Sequence, residues 1–199
     1  MAKLSRAKEE GHHLYPALHP IAYTGVRRGE ALGLRWRDVS FETGTLSVKV
    51  SLQRLDEKPV LAELKTEKSR RTIKLPEVCV AALLAHREKQ ELERAFMGAA
   101  WQDEWGLVFT QEDGSPLSRY AVTRQFQHIL ANAGIPRHRF HDLRHTCATL
   151  LLTQGVPLRV VQETLGHTLF STTADIYTHV LPVLMADAAS KMDAVLLEN

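Results

Sequence analysis

Cysteine is scarce in this chain, and long apolar runs are absent. The only two cysteines among the 199 residues, Cys79 and Cys147, lie far apart and form no CxxC pair. Neither a disulfide framework nor a thiolate zinc site is therefore expected, and a reducing, cytoplasmic setting is predicted. No stretch approaches the roughly 18 consecutive apolar residues of a membrane helix. The first residues also lack the apolar core of a secretory signal, so no membrane association is expected.

The composition is that of a globular protein with an uneven charge distribution. Hydrophobic residues make up 44% of the chain, which is enough for one substantial domain. The net charge is only +2, yet residues 65–74 and 119–144 each hold five Lys or Arg residues and one acidic residue. Such patches are typical of nucleic-acid binders, although solvated surface charge is the open alternative.

Alternating polar and apolar residues predict a small sheet in the first half of the chain. Residues 45–51 have the two-residue period of a half-buried strand, and residues 60–64 and 71–75 are predicted as further short strands. Together they predict one antiparallel sheet of about three strands. The segment from Glu30 to Trp36 is expected to be helical.

From Glu77 onward the apolar spacing is that of helices. The helices are predicted at residues 77–97, 118–133, 141–154 and 157–166, around Tyr177, and at residues 182–197. The expected fold class is α+β, a mainly helical domain with a small antiparallel three-stranded sheet at one side.

Two segments in the first half carry polar groups that an ordinary core does not need. Arg27 follows the break at Gly25 and can point its guanidinium into a cleft, with Glu30 one helical turn away to orient it. Lys65 lies in a basic turn before a strand, where its ammonium can act as an acid or a phosphate partner. Exposed surface residues are the alternative interpretation in both cases.

The segment HDLRH places His141, Arg144 and His145 on one face of a helix. Clustered cationic donors are costly unless an anion binds there. The spacing of the two histidines also occurs in zinc helices, but Arg144 between them would repel a cation, so a metal site is disfavoured. Farther on, Gly166 presents His167, and Tyr177 follows ten residues later. Taken alone, such a tyrosine is more often a half-buried core residue.

These segments, taken together, resemble the motifs of the tyrosine recombinase (phage integrase) family. The motif-like stretches are TGVRRGEALGLRW, KTEKSRRTIKLP, HDLRHTCATLLLTQG and LGHTLFSTTADIYTHV, in the family's order and spacing, from about Ile21 to Val180. The resemblance implies the recombinase catalytic fold. It also implies that the oxygen of Tyr177 attacks a DNA phosphodiester, giving a 3′-phosphotyrosyl link and a free 5′-hydroxyl without a cofactor or metal.

The resemblance also implies a role for each matching residue. Arg27 and Arg144 neutralise the phosphate in the transition state, and Glu30 supports Arg27 and its neighbours. The remaining matches are Lys65 as the acid for the leaving oxygen, His141 as a proton-transfer or phosphate-binding group, His167 as a donor to the phosphate, and Tyr177 as the nucleophile.

Basic residues outside these motifs are predicted to contact the phosphates of double-stranded DNA, which positions a duplex without specifying its sequence. They are Lys68, Arg70, Arg71, Arg119, Arg124, Arg137 and Arg139. In the full-length protein, self-association into a tetramer on DNA is expected. A bacterial or phage-encoded protein of a mobile element, acting at the nucleoid, is the predicted setting.

Residues 1–199 are interpreted as one catalytic domain without the core-binding and arm-binding domains that usually precede it. The helix in residues 182–199 can pack on its own domain or dock on a neighbouring protomer, and both options stay open. The alternative functions are DNA relaxation of the type IB topoisomerase kind, a non-catalytic DNA-binding module of the same fold, and a zinc hydrolase.

Overall fold

The computed structural model describes residues 21–56, 58–64, 66, 69–166, 181–182, 185–194 and 196. The helices and strands are, in chain order, α1 (Arg28–Leu32), β1 (Val39–Ser40), β2 (Thr45–Val48), β3 (Val50–Leu55), β4 (Lys58–Glu63), β5 (Arg71–Lys74), α2 (Glu77–Met97), α3 (Arg119–Asn132), α4 (Asp142–Thr153) and α5 (Leu158–Leu165). Short 3-10 turns cover Trp36–Asp38 and Gly98–Ala100.

The helices from α2 to α5 confirm the sequence-based boundaries to within one residue at each end. In each case the signals are local, as at α5, where Pro157 precedes the first turn and Gly166 ends the helix in the left-handed conformation at φ 67°. The predicted helix around Tyr177 lies outside the described residues. Of the last predicted helix, residues 181–182, 185–194 and 196 are helical.

The expected helical continuation through Trp36 is wrong, because α1 ends at Leu32. Gly33 is the C-cap residue of α1 and lies against β3. A Cβ there would lie 2.7 Å from the backbone nitrogen of Leu52, so α1 and β3 approach each other more closely than a side chain would permit. The chain then bridges Arg35 to Leu107 instead of continuing the helix.

The three-stranded sheet is present, and all three predicted strands form, but the strand predicted at residues 60–64 belongs to a different sheet. The antiparallel order is β1-β2-β5, with Leu46 opposite Ile73, whereas β3 and β4 form a separate hairpin. The stretch 45–51 therefore changes partner at Lys49, and residues 60–64 pair with β3. Buried residues recur at every second position through this change, since Val48 and Val50 are both buried. The alternating pattern reports the buried face and not the partner strand.

The main core lies between α1, the three-stranded sheet, α2 and α3. Leu32, Leu46, Ile73, Leu83 and Phe126 are buried in this one cluster. α1 itself packs on β3. None of the described helices combines the length and apolar character that a membrane crossing requires.

A smaller cluster packs α4 against α5 through Leu152, Val161 and Leu165. Gly25 joins this cluster to the loop before α1. Its φ of 63° is left-handed, and a Cβ there would collide with Leu165 and lie 3.4 Å from the Sγ atom of Cys147. The loop that carries Arg27 is thereby held directly against both helices.

Candidate active site

Arg27 stands at the N-cap of α1 and is fixed there by Glu30. The Glu30 carboxylate accepts the backbone N–H of Arg27 at 2.9 Å and its Nη1 at 2.8 Å. Glu30 is buried, with a side chain only 2% exposed, while 40% of the Arg27 side chain stays accessible. This is the return contact of a capping box, with the arginine head directed by the same carboxylate. Arg27 is thus oriented and still open to a ligand.

A second arginine, Arg71 at the start of β5, binds the same carboxylate. Its Nη2 donates to Oε2 of Glu30 at 2.9 Å, and its side chain is 7% exposed. Burial alone would raise the pKa of the Glu30 carboxyl, but the hydrogen bonds from Arg71 and Arg27 outweigh burial and hold that pKa below its ordinary value. Glu30 is therefore ionised and shared by two arginines.

Arg144, in the first turn of α4, is the third arginine of this group. It is buried, and its Nη1 donates to the carbonyl oxygen of Gly25 at 2.5 Å. Burial, together with the nearby charges of Arg27 and Arg71, lowers the pKa of its guanidinium to about 9. Three arginines thus surround the single carboxylate of Glu30. A bound anion would offset that excess of buried positive charge.

His141 immediately precedes α4, beside Arg144. Its ring lies edge-on to that of His145, with centroids 5.1 Å apart. Burial first, and then His145, Arg144 and Arg27, lower the pKa of His141 from its ordinary value of 6.5. His141 is therefore neutral at pH 7 and can accept a proton. The described residues contain no third ligand that would complete a metal site with this histidine pair.

The C-terminal end of α5 closes the site from another side. Nη2 of Arg27 donates to the carbonyl oxygen of Gly166 at 3.1 Å, and Nε of Arg71 donates to that of Thr164 at 2.8 Å. Cations at the last carbonyls of a helix are favourable, because these groups have no partner within the helix. The residue that follows Gly166 is His167. His167, Tyr177, Lys65 and Lys68 all lie outside the described residues, so their roles stay predictions.

Two adjoining cavities of about 600 and 730 Å³ extend from Arg144 and His141 along α3. Four of the predicted phosphate contacts, Arg119, Arg124, Arg137 and Arg139, line them and are exposed. The described side chains that line the two cavities include no carboxylate. We call this surface the basic cleft.

Sequence reasoning missed Arg28, which lines both cavities. Its Nη1 donates to Oγ1 of Thr123 at 2.7 Å, and its guanidinium lies 5.9 Å from the ring centroid of Phe140. Burial, together with the nearby charge of Arg119, lowers its pKa. The signal was the Arg27-Arg28 doublet, since adjacent helical residues point in different directions. Arg27 points toward Glu30, whereas Arg28 points into the basic cleft.

The remaining two predicted phosphate contacts, Arg70 and Arg71, differ sharply. Arg70 is exposed and pairs with exposed Glu63 at 2.7 Å, so it stays available to a ligand. Arg71 is buried behind Arg27, with hydrogen bonds to Glu30, Thr164 and Ser69. Its position fits support of the site better than direct contact with DNA.

The fold brings three arginines together around one buried carboxylate, next to a cleft lined by further arginines. The model of the phage integrase family matches residues 3–182. The chain belongs to this family, as its motifs predicted.

Relatives of known sequence support the assignment. The tyrosine recombinase XerC-like protein of Caldanaerobacter subterraneus subsp. tengcongensis is 37% identical in an alignment that covers 96% of this chain and 52% of that protein. An integrase of Streptomyces ambofaciens is 32% identical in an alignment that covers 94% of this chain and 49% of that protein. The chain thus spans about half the length of these curated relatives.

Solved structures share the fold. The integrase of the Tn1549 transposon, solved in complex with transposon right end DNA, has a TM-score of 0.75 at 21% identity, covering 89% of this chain and 58% of that one. The XerA recombinase has a TM-score of 0.74 at 24% identity, covering 96% and 62%. These likenesses confirm the expected α+β class.

Proposed function

We propose that residues 1–199 form the catalytic domain of a site-specific DNA recombinase of the integrase type. It cleaves and rejoins strands of double-stranded DNA through a covalent 3′-phosphotyrosyl intermediate at Tyr177. The observation that carries the proposal is that Arg27 and Arg144 lie close together beside His141, where their positive charges favour a bound anion. Family membership supplies the reaction class.

The phosphoryl transfer needs no reactant besides the enzyme and the DNA, because one P–O bond forms as another breaks. The phenolic oxygen of Tyr177 forms a bond to phosphorus as the bond to the 5′-oxygen breaks. In this proposal neutral His141 is the base that takes the phenol proton, and Lys65 protonates the leaving 5′-oxygen. Arg27 and Arg144 donate to the non-bridging oxygens, where negative charge grows in the transition state.

His167 adds a donor to the same phosphate in this scheme. It directly follows Gly166 in the sequence, and the carbonyl oxygen of Gly166 accepts a hydrogen bond from Nη2 of Arg27. The reverse reaction uses the same groups, since the free 5′-hydroxyl of another strand attacks the phosphotyrosyl bond. The bond energy is kept, and strands are exchanged without hydrolysis.

The basic cleft is the proposed path of the DNA backbone next to the cleavage site. Exposed arginines there would bind phosphates and release counterions, which makes binding dependent on salt concentration. We expect Lys68 and Arg70, near the predicted Lys65 turn, to contact the duplex on another side. These contacts position the duplex and leave its sequence unread.

In the full-length protein we propose assembly into a tetramer on DNA. The helical residues 185–194 and 196 expose Met185, Met192 and Leu196, an apolar set that suits docking on a second copy. Deleting the residues after Pro182 should then abolish cooperative assembly in a gel-shift titration. Unchanged cooperativity would reject docking of this helix on a neighbouring protomer.

Covalent trapping tests the central claim. A nicked suicide substrate releases the short strand after cleavage, so the enzyme stays linked to DNA. The wild type should give an adduct that survives denaturant, and Tyr177→Phe should give none. Tyr23→Phe, which removes a hydroxyl in the half-buried interior, is the matched control and should react normally. An adduct at another residue, or none from the wild type, would overturn the proposal.

A further inference from the structure

Arg71 connects three segments that each carry a proposed catalytic residue. Its Nη2 binds Glu30, which orients Arg27, and its Nε binds the Thr164 carbonyl at the end of α5, three residues before His167. Its Nη1 donates to the carbonyl of Ser69 at 3.1 Å, in the turn that follows Lys65. Each of the three guanidinium nitrogens therefore donates a hydrogen bond to a different segment.

The packing around Arg71 leaves its guanidinium little freedom. Gly166 lies directly over it, since a Cβ on that glycine would be 2.8 Å from Nη1 and 3.0 Å from Cζ of Arg71. The carboxylate that it binds is itself almost completely buried. A planar group with several donors suits such a junction, because one lysine nitrogen cannot reach three directions at fixed angles.

A direct contact between Arg71 and DNA is disfavoured by the same observations. The side chain is 7% exposed, and each of its three nitrogens donates a hydrogen bond within the protein. By contrast, Arg27 is 40% exposed and shares the carboxylate of Glu30. The geometry thus gives the two arginines different positions: Arg27 is open to a ligand, and Arg71 holds Arg27 in place through Glu30.

We infer that Arg71 is a positioning residue for strand cleavage. It acts through Glu30 on Arg27 and ties that pair to the end of α5 and to the turn after Lys65. The inference rests on the proposed function, because it assigns Arg71 a part in the same reaction. Removing Arg71 should lower the cleavage rate at saturating DNA and leave the affinity for DNA largely unchanged. Misplacement of reacting groups by about 1 Å can cost on the order of a hundredfold in rate.

The first measurement is single-turnover cleavage of the nicked substrate over a range of DNA concentrations. Arg71→Ala should lower the rate at saturation by about a hundredfold, with the dissociation constant changed less than about twofold. Arg71→Lys should recover part of the rate, since it keeps the charge next to Glu30. A loss confined to the dissociation constant would instead make Arg71 a phosphate contact and overturn the inference.

A double-mutant cycle tests whether Arg71 acts through Glu30. In a Glu30→Gln background, Arg71→Ala should lower the cleavage rate only about threefold further, since residues in one network are not additive. Independent, multiplicative losses would contradict the inference. Arg35→Ala is the control for general destabilisation, because Arg35 forms another buried ion pair, with Asp38 at 2.6 Å. It should lower the unfolding temperature and leave the cleavage rate of the folded protein unchanged.

A readout without catalysis separates this inference from the proposed function. With ¹⁵N-labelled arginine, the guanidinium signals of Arg27 should broaden in Arg71→Ala and stay sharp in Arg35→Ala. If the wild type forms no adduct and the Arg27 signals still respond, the proposed function fails and the positioning role stands. If those signals are unaffected by Arg71→Ala, the positioning role is rejected whatever the cleavage assay shows.

Discussion

Two groups of arginines in this protein do different physical work. In the group around the buried Glu30 carboxylate, which we call the buried group after that carboxylate, Arg27, Arg71 and Arg144 are fixed by hydrogen bonds to Glu30 and to backbone carbonyls. In the basic cleft, Arg119, Arg124, Arg137 and Arg139 are exposed along α3 and before α4. Fixed charge in a site of low dielectric stabilises a transition state, because it need not reorganise. Exposed charge attracts a polyanion over a distance and is screened by salt.

The difference separates rate from affinity, and Arg144→Ala should show it most strongly. Loss of this guanidinium removes about 3 kcal/mol of transition-state stabilisation, by analogy with one lost oxyanion donor. We expect single-turnover cleavage at saturating DNA to slow by roughly a hundredfold or more. Arg35→Ala controls for the loss of a largely buried arginine that pairs with Asp38 and not with Glu30. Normal cleavage by Arg144→Ala would remove this residue from the chemistry.

His141 should produce the next largest effect, seen as a change in the pH profile. Its pKa lies below 6.5, so the neutral form predominates above that pH and is lost as the pH falls through the lowered value. If neutral His141 accepts the phenol proton, the cleavage rate should fall on the acid side. General-base catalysis contributes about a hundredfold or more to a reaction rate.

The matched comparison for this profile is His141→Gln, which keeps a polar group but has no titration in this range. Its cleavage rate should be low and should no longer fall on the acid side. His145→Gln, the neighbouring ring, should keep the acid limb, shifted to slightly higher pH, because one repulsive partner of His141 is gone. An acid limb that persists in His141→Gln would assign the titration to another group.

The two groups also differ in how far the sequence predicts them. The boundaries of α2 and α5 were predicted because proline and glycine signals are local. The difference in exposure between Arg70 and Arg71 was not predictable, because the burial of Arg71 depends on Glu30, which is 41 positions away in the sequence. Likewise, Arg28 takes its place in the basic cleft through Thr123, 95 positions away. Motif order identified the family, whereas only the packing assigns adjacent arginines to different tasks.

The partner change at Lys49 was hidden for a related reason. Both β2 and β3 bury residues at even-numbered positions, so one uninterrupted pattern spans two sheets. The hairpin β3–β4 packs on α1, where Gly33 allows close contact with Leu52. The strand pairing thus depends on a distant backbone contact that a period of two residues does not encode.

Arg28→Ala should have the smallest of these effects, and it should be on affinity. Arg28 lies between the two cavities, so its loss removes about one phosphate contact. The dissociation constant should rise about fivefold, equivalent to about 1 kcal/mol. The slope of log affinity against log salt should fall in magnitude by about 1. The cleavage rate at saturating DNA should stay at the wild-type value, in contrast to Arg144→Ala.

Arg159→Ala is the matched control for Arg28, since Arg159 is 79% exposed on α5 and pairs with Glu163 away from the cleft. It should change neither the affinity nor the salt slope. If Arg28→Ala instead lowers the cleavage rate at saturating DNA, Arg28 belongs with the buried group. The proposed assignment of Arg28 to DNA binding in the basic cleft would then be wrong. Titration of both variants at two salt concentrations, followed by single-turnover cleavage, distinguishes these outcomes.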